Sequence, residues 1–366
     1  MRSKKLAIAL ALTLMLSIGL TGCSKATNPS SQAPAKLKVA FIYVGPVGDA
    51  GWTYAQDQGR KYLVDHVSGI ETTYLENVPE ADGEKVADQL VAQGNKVIFA
   101  TSFGYMDGIL ASAKKHPDVI FLHCSGVKTA DNVGTYFGRE YQARYLTGIV
   151  AGKTTKSNQI GYVAAFPIPE CVRGINAFTL GVRSVNPNAV VKVVWTNTWL
   201  DPAKEKDAGL SLAEQGCDVL AQHQDSPAVV QAAEEKGIHA LGYDSDMSKY
   251  APNAYLTGPV WNWGPYFVKT VQAVKDGTWK TNAYWGPMSD GVIDIAPFYH
   301  VPTDVQTLAN EKKQLLLSGK WDVFTGPIKD QQGAVKVKDG ASLTDNEMLS
   351  LDWFVQGVQG TIPKTQ

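Results

Sequence analysis

Cysteine is scarce in this chain of 366 residues, which contains only four. Cys23 lies near the N-terminus, and the other three, Cys124, Cys171 and Cys217, are far apart in sequence. An odd number of cysteines, with no CxxC pair and no histidine at a metal-ligand spacing, argues against a disulfide framework and against a zinc site. We therefore expect these three side chains to be buried as small apolar groups.

An excess of charge of either sign is missing as well. The chain carries 34 Lys and Arg against 35 Asp and Glu, which gives a net charge of −1 at pH 7. This balance excludes a strongly electropositive surface for nucleic acid and leaves no polybasic patch for a membrane. Beyond the first 20 residues, no apolar run is long enough to span a bilayer.

Common catalytic motifs are absent too, since the chain contains no GxGxxG, Walker A, GxSxG or HExxH sequence. Asp244 and Asp246 could contribute to a metal site, but an octahedral oxygen site needs more ligands than their neighbours offer. His123 and His223 follow predicted strands and could line a cleft. We therefore expect no enzyme activity, no metal and no cofactor.

The N-terminus is typical of a bacterial lipoprotein. A basic start precedes an apolar stretch over residues 6–20, which is too short for a stable membrane span and matches a signal peptide over residues 1–22. The stretch ends in Leu20-Thr21-Gly22-Cys23, which resembles a lipobox, so we expect Cys23 to be lipidated. Residues 23–36 are polar and rich in Pro and Ser, and they predict a flexible tether. This pattern predicts a protein on the extracytoplasmic face of the cell membrane, anchored by lipid.

Residues 37–122 and 159–244 repeat the same order of apolar runs and amphipathic stretches, 122 positions apart. Gln93-Gly94 recurs as Gln215-Gly216, and the apolar run that starts at Val97 recurs at Val219. Continuous apolar strands that alternate with helices indicate parallel sheets covered on both faces. The alternative is a chance period, which α/β chains can show.

The repeat predicts an α/β fold of two Rossmann-like lobes with a hinge and an interlobe cleft. The first lobe is expected over residues 37–153 plus about 262–366, and the second over residues 154–261. Ligands of parallel sheets bind beyond the carboxyl ends of the strands, so two facing lobes should share one site.

The loops after the predicted strands carry aromatic and acidic side chains. The aromatic residues are Trp52, Phe103, Phe166, Trp199 and Trp261, and the acidic residues are Asp49, Asp107 and Asp244. Aromatic faces with a few fixed polar groups suit a planar heteroaromatic ligand. For any one of these aromatic residues, packing in the core is an equal alternative.

The chain resembles the basic membrane protein family of ABC-transporter substrate-binding lipoproteins, of the purine-receptor type, over about residues 37–300. The resemblance rests on five motifs, which are Asp49–Trp52, Phe103–Asp107, Asn186–Ala189, Asp201–Lys204 and Gly242–Asp246. It implies a periplasmic-binding-protein type I fold, a small ligand in the interlobe cleft, and ABC permease subunits as partners.

The resemblance also implies roles for individual residues. Nucleoside-binding members place an Asp and a Lys on the ribose; Asp244 matches that Asp, whereas Trp261 stands at the Lys position and Trp52 at a family Asn position. Two indoles would fill the ribose space, which favours a free purine base such as adenine. Aromatic walls would come from Trp52, Phe103, Phe166, Trp199 and Trp261, and hydrogen-bond acceptors from Asp49, Asp107 and Asp244.

Three alternatives remain open from the sequence. The first is a purine nucleoside-binding protein, and the second is a ligand-sensing protein that is not coupled to transport. The third is a nucleoside hydrolase, but the chain lacks an Asp-rich metal loop near its first strand.

Overall fold

The computed structural model describes residues 36–363. The predicted signal peptide, Cys23 and nearly all of the predicted tether lie outside the described residues. Between residues 36 and 363, no helix combines the length and the apolar character that a membrane crossing requires.

The first sheet contains six parallel strands. They are β1 (Leu37–Ile42), β2 (Ile70–Leu75), β3 (Val97–Ala100), β4 (Ile120–Cys124), β5 (Val133–Gly138) and, from the last third of the chain, β12 (Ala283–Gly286). Their order across the sheet is β2-β1-β3-β4-β5-β12. The helices that follow the first three strands are α1 (Trp52–His66), α2 (Gly83–Ala92) and α3 (Met106–Lys115).

The second sheet repeats this arrangement. Its strands are β6 (Gln159–Ala164), β7 (Val190–Trp195), β8 (Val219–His223), β9 (His239–Leu241), β10 (Tyr255–Thr257) and β16 (Val358–Gln359). All are parallel, in the order β16-β7-β6-β8-β9-β10. The intervening helices are α5 (Pro169–Val185), α6 (Pro202–Glu214) and α7 (Ala228–Lys236).

The remaining elements connect or cover the two sheets. Helix α4 (Glu140–Thr154) leads from β5 to β6, and β11 (Pro259–Trp261) pairs antiparallel with β13 (Ile293–Ile295). The other helices are α8 (Gly264–Lys275), α9 (Thr303–Leu317) and α10 (Asp345–Leu349), and a small hairpin is formed by β14 (Ile328–Lys329) and β15 (Val335–Val337).

Burial on both faces explains the continuous apolar strands. Ala40 and Ile42 pack in a cluster with residues of α2 and α3, whereas Val39 and Phe41 pack with residues of α1 and α8. The Phe41 ring lies 5.3 Å from that of Phe267 in α8. A strand covered by helices on both sides loses the alternation of polar and apolar residues that a half-exposed strand shows.

The predicted α/β class and the type of fold are confirmed. Strands β1 and β6 lie 122 positions apart at both ends, and so do the first residues of β3 and β8. The end of the chain differs from the expectation that it returns to the first lobe alone, because β12 extends the first sheet while β16 pairs with β7 of the second. The exact lobe boundaries stay a prediction.

Candidate functional site

The carboxyl ends of the two sheets border one small cavity, which has a volume of about 20 Å³ in the described conformation. Loops after strands of the first sheet contribute Val44, Trp52, Ser102, Phe103 and Ser125. Loops and helix starts after strands of the second sheet contribute Glu170, Trp199, His223, Asp225 and Tyr243. The site therefore lies where the strand topology predicts it.

Trp52, at the first position of α1, has one side in the cavity wall and the other in the core. Its indole Nε1 donates to the carbonyl oxygen of Thr101 at 2.6 Å. Its ring meets the rings of Trp261 and Trp263 edge-on, with both centroid distances at 5.8 Å. Trp52 is consequently held rigidly, which suits a wall that a ligand contacts.

Of the other predicted aromatic walls, Phe103 and Trp199 line the cavity. Phe166 does not line it; its ring packs against that of Trp199 at 5.0 Å and 61°. Phe166 thus supports the Trp199 indole from behind.

Trp261 and Asp244 form a buried pair outside the cavity lining. The Trp261 Nε1 donates to Asp244 Oδ1 at 2.9 Å, and the Trp261 ring stacks on that of Trp263 at 4.5 Å. Asp244 Oδ2 has no hydrogen-bond partner among residues 36–363. Burial raises the pKa of Asp244 well above its usual value. The Trp261 ring contacts the rings of Trp52 and Tyr243, which do line the cavity.

The structure does not bring Asp49 and Asp107 into the cavity lining. Asp49 Oδ1 accepts from the backbone N–H groups of Gly51 and Tyr54, both at 2.9 Å, and its Oδ2 accepts from Thr53 at 2.8 Å, so it fixes the start of α1. Burial nevertheless raises the pKa of Asp49 to about 6. The Asp107 side chain is 84% exposed and pairs with Lys128 at 3.0 Å, as a solvated carboxylate can.

Asp225 is the most informative residue that the sequence reasoning missed. Its backbone N–H donates to the Trp199 carbonyl oxygen at 3.1 Å, but its side chain makes no hydrogen bond within residues 36–363. Burial, followed by the charges of Asp244 and Asp49, raises the pKa of Asp225 well above the usual value. The signal was its place in the loop after β8, where a carboxyl group follows His223 by two positions.

Glu170 and His223 form the second polar group of the wall. Glu170 Oε1 lies 3.5 Å from His223 Nε2. Burial raises the pKa of Glu170, and burial followed by the charge of Arg144 lowers the pKa of His223 to about 3. The imidazole is therefore neutral at physiological pH.

A buried ion pair supports this half of the wall from behind. Arg144 Nε donates to Glu140 Oε2 at 2.9 Å, and its Nη1 donates to the Gln222 carbonyl oxygen at 2.7 Å. The guanidinium carbon lies 3.8 Å from the centroid of the Tyr243 ring, a favourable cation–π geometry. Helix α4, which connects the sheets, thereby positions a residue that lines the cavity.

The two halves of the site touch each other directly. Ser245 Oγ donates to the carbonyl oxygen of Ala50, across the cleft. A Cβ atom added to Gly51 would lie 2.1 Å from the carbonyl oxygen of Asp225. Only a glycine at position 51 permits this approach, so the described conformation is a closed one.

No cluster of three or more His, Cys, Asp or Glu side chains suited to a metal occurs within residues 36–363.

A cavity between two similar parallel sheets, closed by loops from both, defines a solute-binding protein of the periplasmic type I fold. Such proteins bind a ligand and do not transform it. The Bmp family, described as PnrA-like ABC transporter substrate-binding proteins, matches residues 36–332. The chain belongs to this family.

Individual relatives agree with this assignment. The chain is 48% identical to a purine-binding protein of Brucella abortus, over 92% of this chain and 96% of the relative. It is 39% identical to a putative ABC transporter glucose-binding protein of Haloferax volcanii, over 89% and 81% of the two chains. A solute-binding protein of an ABC transporter system from Aeropyrum pernix has the same fold, with a TM-score of 0.70 at 18% identity over 80% and 93%.

Proposed function

We propose that this substrate-binding protein serves an ABC importer, that lipid at Cys23 anchors it to the extracytoplasmic face of the cell membrane, and that its ligand is a purine-like base. Family membership supports the transport role, and the lipobox-like sequence before Cys23 supports the anchor. The alternative is a ligand-sensing role without transport. Binding of this protein to an ABC permease would exclude that alternative.

The walls of the cavity support a small planar ligand. Phe103, Trp199 and Tyr243 supply aromatic faces, and stacking of a base on such a face contributes roughly 1–3 kcal/mol. In the described conformation the walls enclose only about 20 Å³, room for about one water molecule, so the two halves of the site must part to admit a base.

The polar groups support a ligand rich in N–H groups. Asp225 and Glu170 present carboxyl oxygens, and Ser102 and Ser125 add side chains that can donate or accept. A carboxyl group with a raised pKa can accept a hydrogen bond when ionised and donate one when protonated. Purine bases alternate donors and acceptors along their edge, so this set of groups is complementary to them.

The hydrogen bond from Trp261 to Asp244 carries the preference for a base over a nucleoside. In the resembling nucleoside-binding members the matching Asp contacts ribose, whereas here an indole occupies one of its oxygens. One observation favours a nucleoside as the second candidate, because Asp244 Oδ2 has no partner among the described residues and a ribose hydroxyl could supply one.

Calorimetric titration of refolded, ligand-free protein tests the proposal. We expect adenine, guanine or hypoxanthine to bind at least about tenfold more tightly than the matching nucleoside, a difference of about 1.4 kcal/mol. Glucose and ribose serve as controls. A preference for adenosine would contradict the free-base proposal, and binding of glucose alone would contradict the purine proposal.

A further inference from the structure

A second, more open chamber adjoins the cavity and has a volume of about 420 Å³. Phe103, Ser125 and Glu170 line both spaces, so these side chains belong to both walls. Aromatic rings of Phe137 and Trp285 form another part of the chamber wall. A shift of the three shared side chains would join the chamber to the cavity.

Arg173 brings a positive charge with unused hydrogen-bonding capacity to this chamber. It lines the chamber, yet it is only 2% exposed. Its Nη1 donates to the Met348 carbonyl oxygen at 3.0 Å, while its buried Nε has no partner among residues 36–363. Its guanidinium carbon lies 4.8 Å from the centroid of the Trp285 ring. Nε is fully buried, whereas Nη2 is not and makes no hydrogen bond within residues 36–363, so Nη2 is the donor that can reach an acceptor in the chamber.

Glu170 lies three residues before Arg173 on helix α5, so their side chains are on one face of the helix. Glu170 faces both the cavity and the chamber, whereas Arg173 faces only the chamber. A group that passes along this face meets first a carboxyl, which accepts from N–H, and then a guanidinium, which only donates.

We propose that the chamber is a second ligand subsite, which takes a short carboxylate-ended arm carried on the exocyclic amine of the ring held in the cavity. The exocyclic N–H donates to Glu170, and the carboxylate at the end of the arm accepts from Arg173. This inference rests on the proposed purine-like ligand and extends it to N-substituted, acidic purines.

The outer wall of the chamber supplies a matched control. Asp345 and Leu349 of α10 line the chamber, and Arg139 holds this helix through two hydrogen bonds to the Asp345 carboxylate, at 2.8 and 2.7 Å. Arg139, which does not line the chamber, also lies over the Trp285 ring, at 4.3 Å. Arg139→Met thus loosens α10 and the Trp285 contact much as Arg173→Met does, but it leaves the Arg173 charge in place.

The experiment titrates wild type, Arg173→Met and Arg139→Met with three probes. These are adenine, adenine with a carboxymethyl group on its exocyclic amine, and adenine with an ethyl group there. Wild type should bind the carboxymethyl probe about tenfold or more tightly than the ethyl probe, because hydrogen bonds to charged groups contribute about 1.5–3 kcal/mol. Arg173→Met should lose this preference, while Arg139→Met should keep it; the preference is the ratio of the two substituted probes, so a change in adenine affinity itself does not enter it.

The outcomes separate the two proposals. If adenine binds to wild type but the carboxymethyl probe binds no better than the ethyl probe, the second subsite is wrong and the proposed function stands. If Arg139→Met loses the preference as fully as Arg173→Met, the effect comes from α10 and the subsite is again wrong. If no purine binds, the proposed function fails and the subsite fails with it. Should Arg173→Met not fold, the comparison of the two substituted probes on wild type still decides the matter.

Discussion

The cavity wall has two halves, one after each sheet. Among the described residues, the half after the first sheet contains no acidic or basic side chain. The half after the second sheet contains Glu170, His223 and Asp225. The two sheets share the order and direction of five strands, and the sixth strand, β12 or β16, lies at opposite edges. Side-chain chemistry therefore differs where backbone topology does not.

This difference separates two tasks of the site. In the proposed function the second half recognises hydrogen-bond donors, and the buried Arg144 supports Tyr243 and the end of β8 in that half. The first half supplies the apolar and hydroxyl-bearing cover, with Trp52 anchored to Thr101. We expect the ligand to be recognised mainly by the second half and enclosed by the first.

The sharpest way to break this arrangement is to keep the halves apart. In Gly51→Ala the new methyl group would meet the Asp225 carbonyl oxygen, so the closed contact cannot form. Base affinity should fall about ten- to a hundredfold, since loss of the opposing wall removes a stacking contact worth roughly 1–3 kcal/mol. Calorimetry and the ligand-induced change in radius of gyration measure the effect.

Gly48→Ala is the control in the same loop, because a Cβ atom there would have nothing within 4 Å. It should bind as wild type does. Equal affinities for the two variants would show that closure at Gly51 does not matter for binding.

A smaller effect is expected when the recognising half loses its charge. Asp225→Asn keeps the side-chain shape but replaces one oxygen by an NH₂ group that can only donate, and base affinity should fall about tenfold because a ligand donor left without its acceptor costs about 1–3 kcal/mol. Calorimetric titration measures the change. Unchanged affinity would remove Asp225 from the binding site.

The same variant should change how the stability of the ligand-free protein depends on pH. Burial raises the folded-state pKa of Asp225 above its usual 3.8, so the folded chain retains a proton that the unfolded chain releases. This contribution to stability is complete below pH 3.8 and is lost as the pH rises through the folded-state pKa. The fall in melting temperature from acidic to neutral pH should be smaller in Asp225→Asn than in wild type. Identical slopes would contradict the assignment.

Trp261→Phe tests whether the site prefers a base or a nucleoside, because it removes the N–H group that donates to Asp244 Oδ1. If ribose reaches Asp244, which does not line the closed cavity, the ratio of adenosine to adenine affinity should rise about three- to tenfold, since a second free carboxyl oxygen adds a hydrogen bond worth about 0.5–1.5 kcal/mol. Trp263→Phe is the control, because Trp263 is also buried but its Nε1 has no partner among residues 36–363. If both variants shift the ratio equally, the cause is lost packing and not the hydrogen bond.

The smallest effect is expected at Asp107. Its side chain is 84% exposed and does not line the cavity, so Asp107→Asn should change base affinity by less than about twofold, as an exposed ion pair contributes only about 0–1 kcal/mol. A loss as large as that of Asp225→Asn would restore the role that the sequence suggested for Asp107.

The sequence predicted the scaffold well because parallel strands covered on both faces leave a strong signal. The 122-residue repeat matched β1 with β6 and β3 with β8, and the loops after these strands do border the cavity. Trp52, Phe103 and Trp199, which the sequence proposed as ligand contacts, line this cavity, and their contact with a ligand stays a prediction.

The direction in which a side chain points could not be predicted from the sequence. Asp49 and Asp225 both lie in loops that follow strands. Three backbone N–H groups around the start of α1 hold the Asp49 carboxylate and keep it away from the cavity. Asp225 has no such local donors for its side chain and remains directed to the cavity. Local hydrogen bonds, which sequence spacing does not reveal, decide between these two outcomes.

The pairing of β16 with β7 has a consequence for handling the protein. The Trp195 Nε1 donates to the Thr361 carbonyl oxygen at 2.9 Å, and its ring stacks on that of Phe354 at 6.3 Å, so the tail covers the outer edge of the second sheet. A chain cut before residue 354 would expose backbone N–H and carbonyl groups of β7 to strands of other molecules, which is a common route to aggregation. Purification tags therefore belong after the last residue, with the full tail retained.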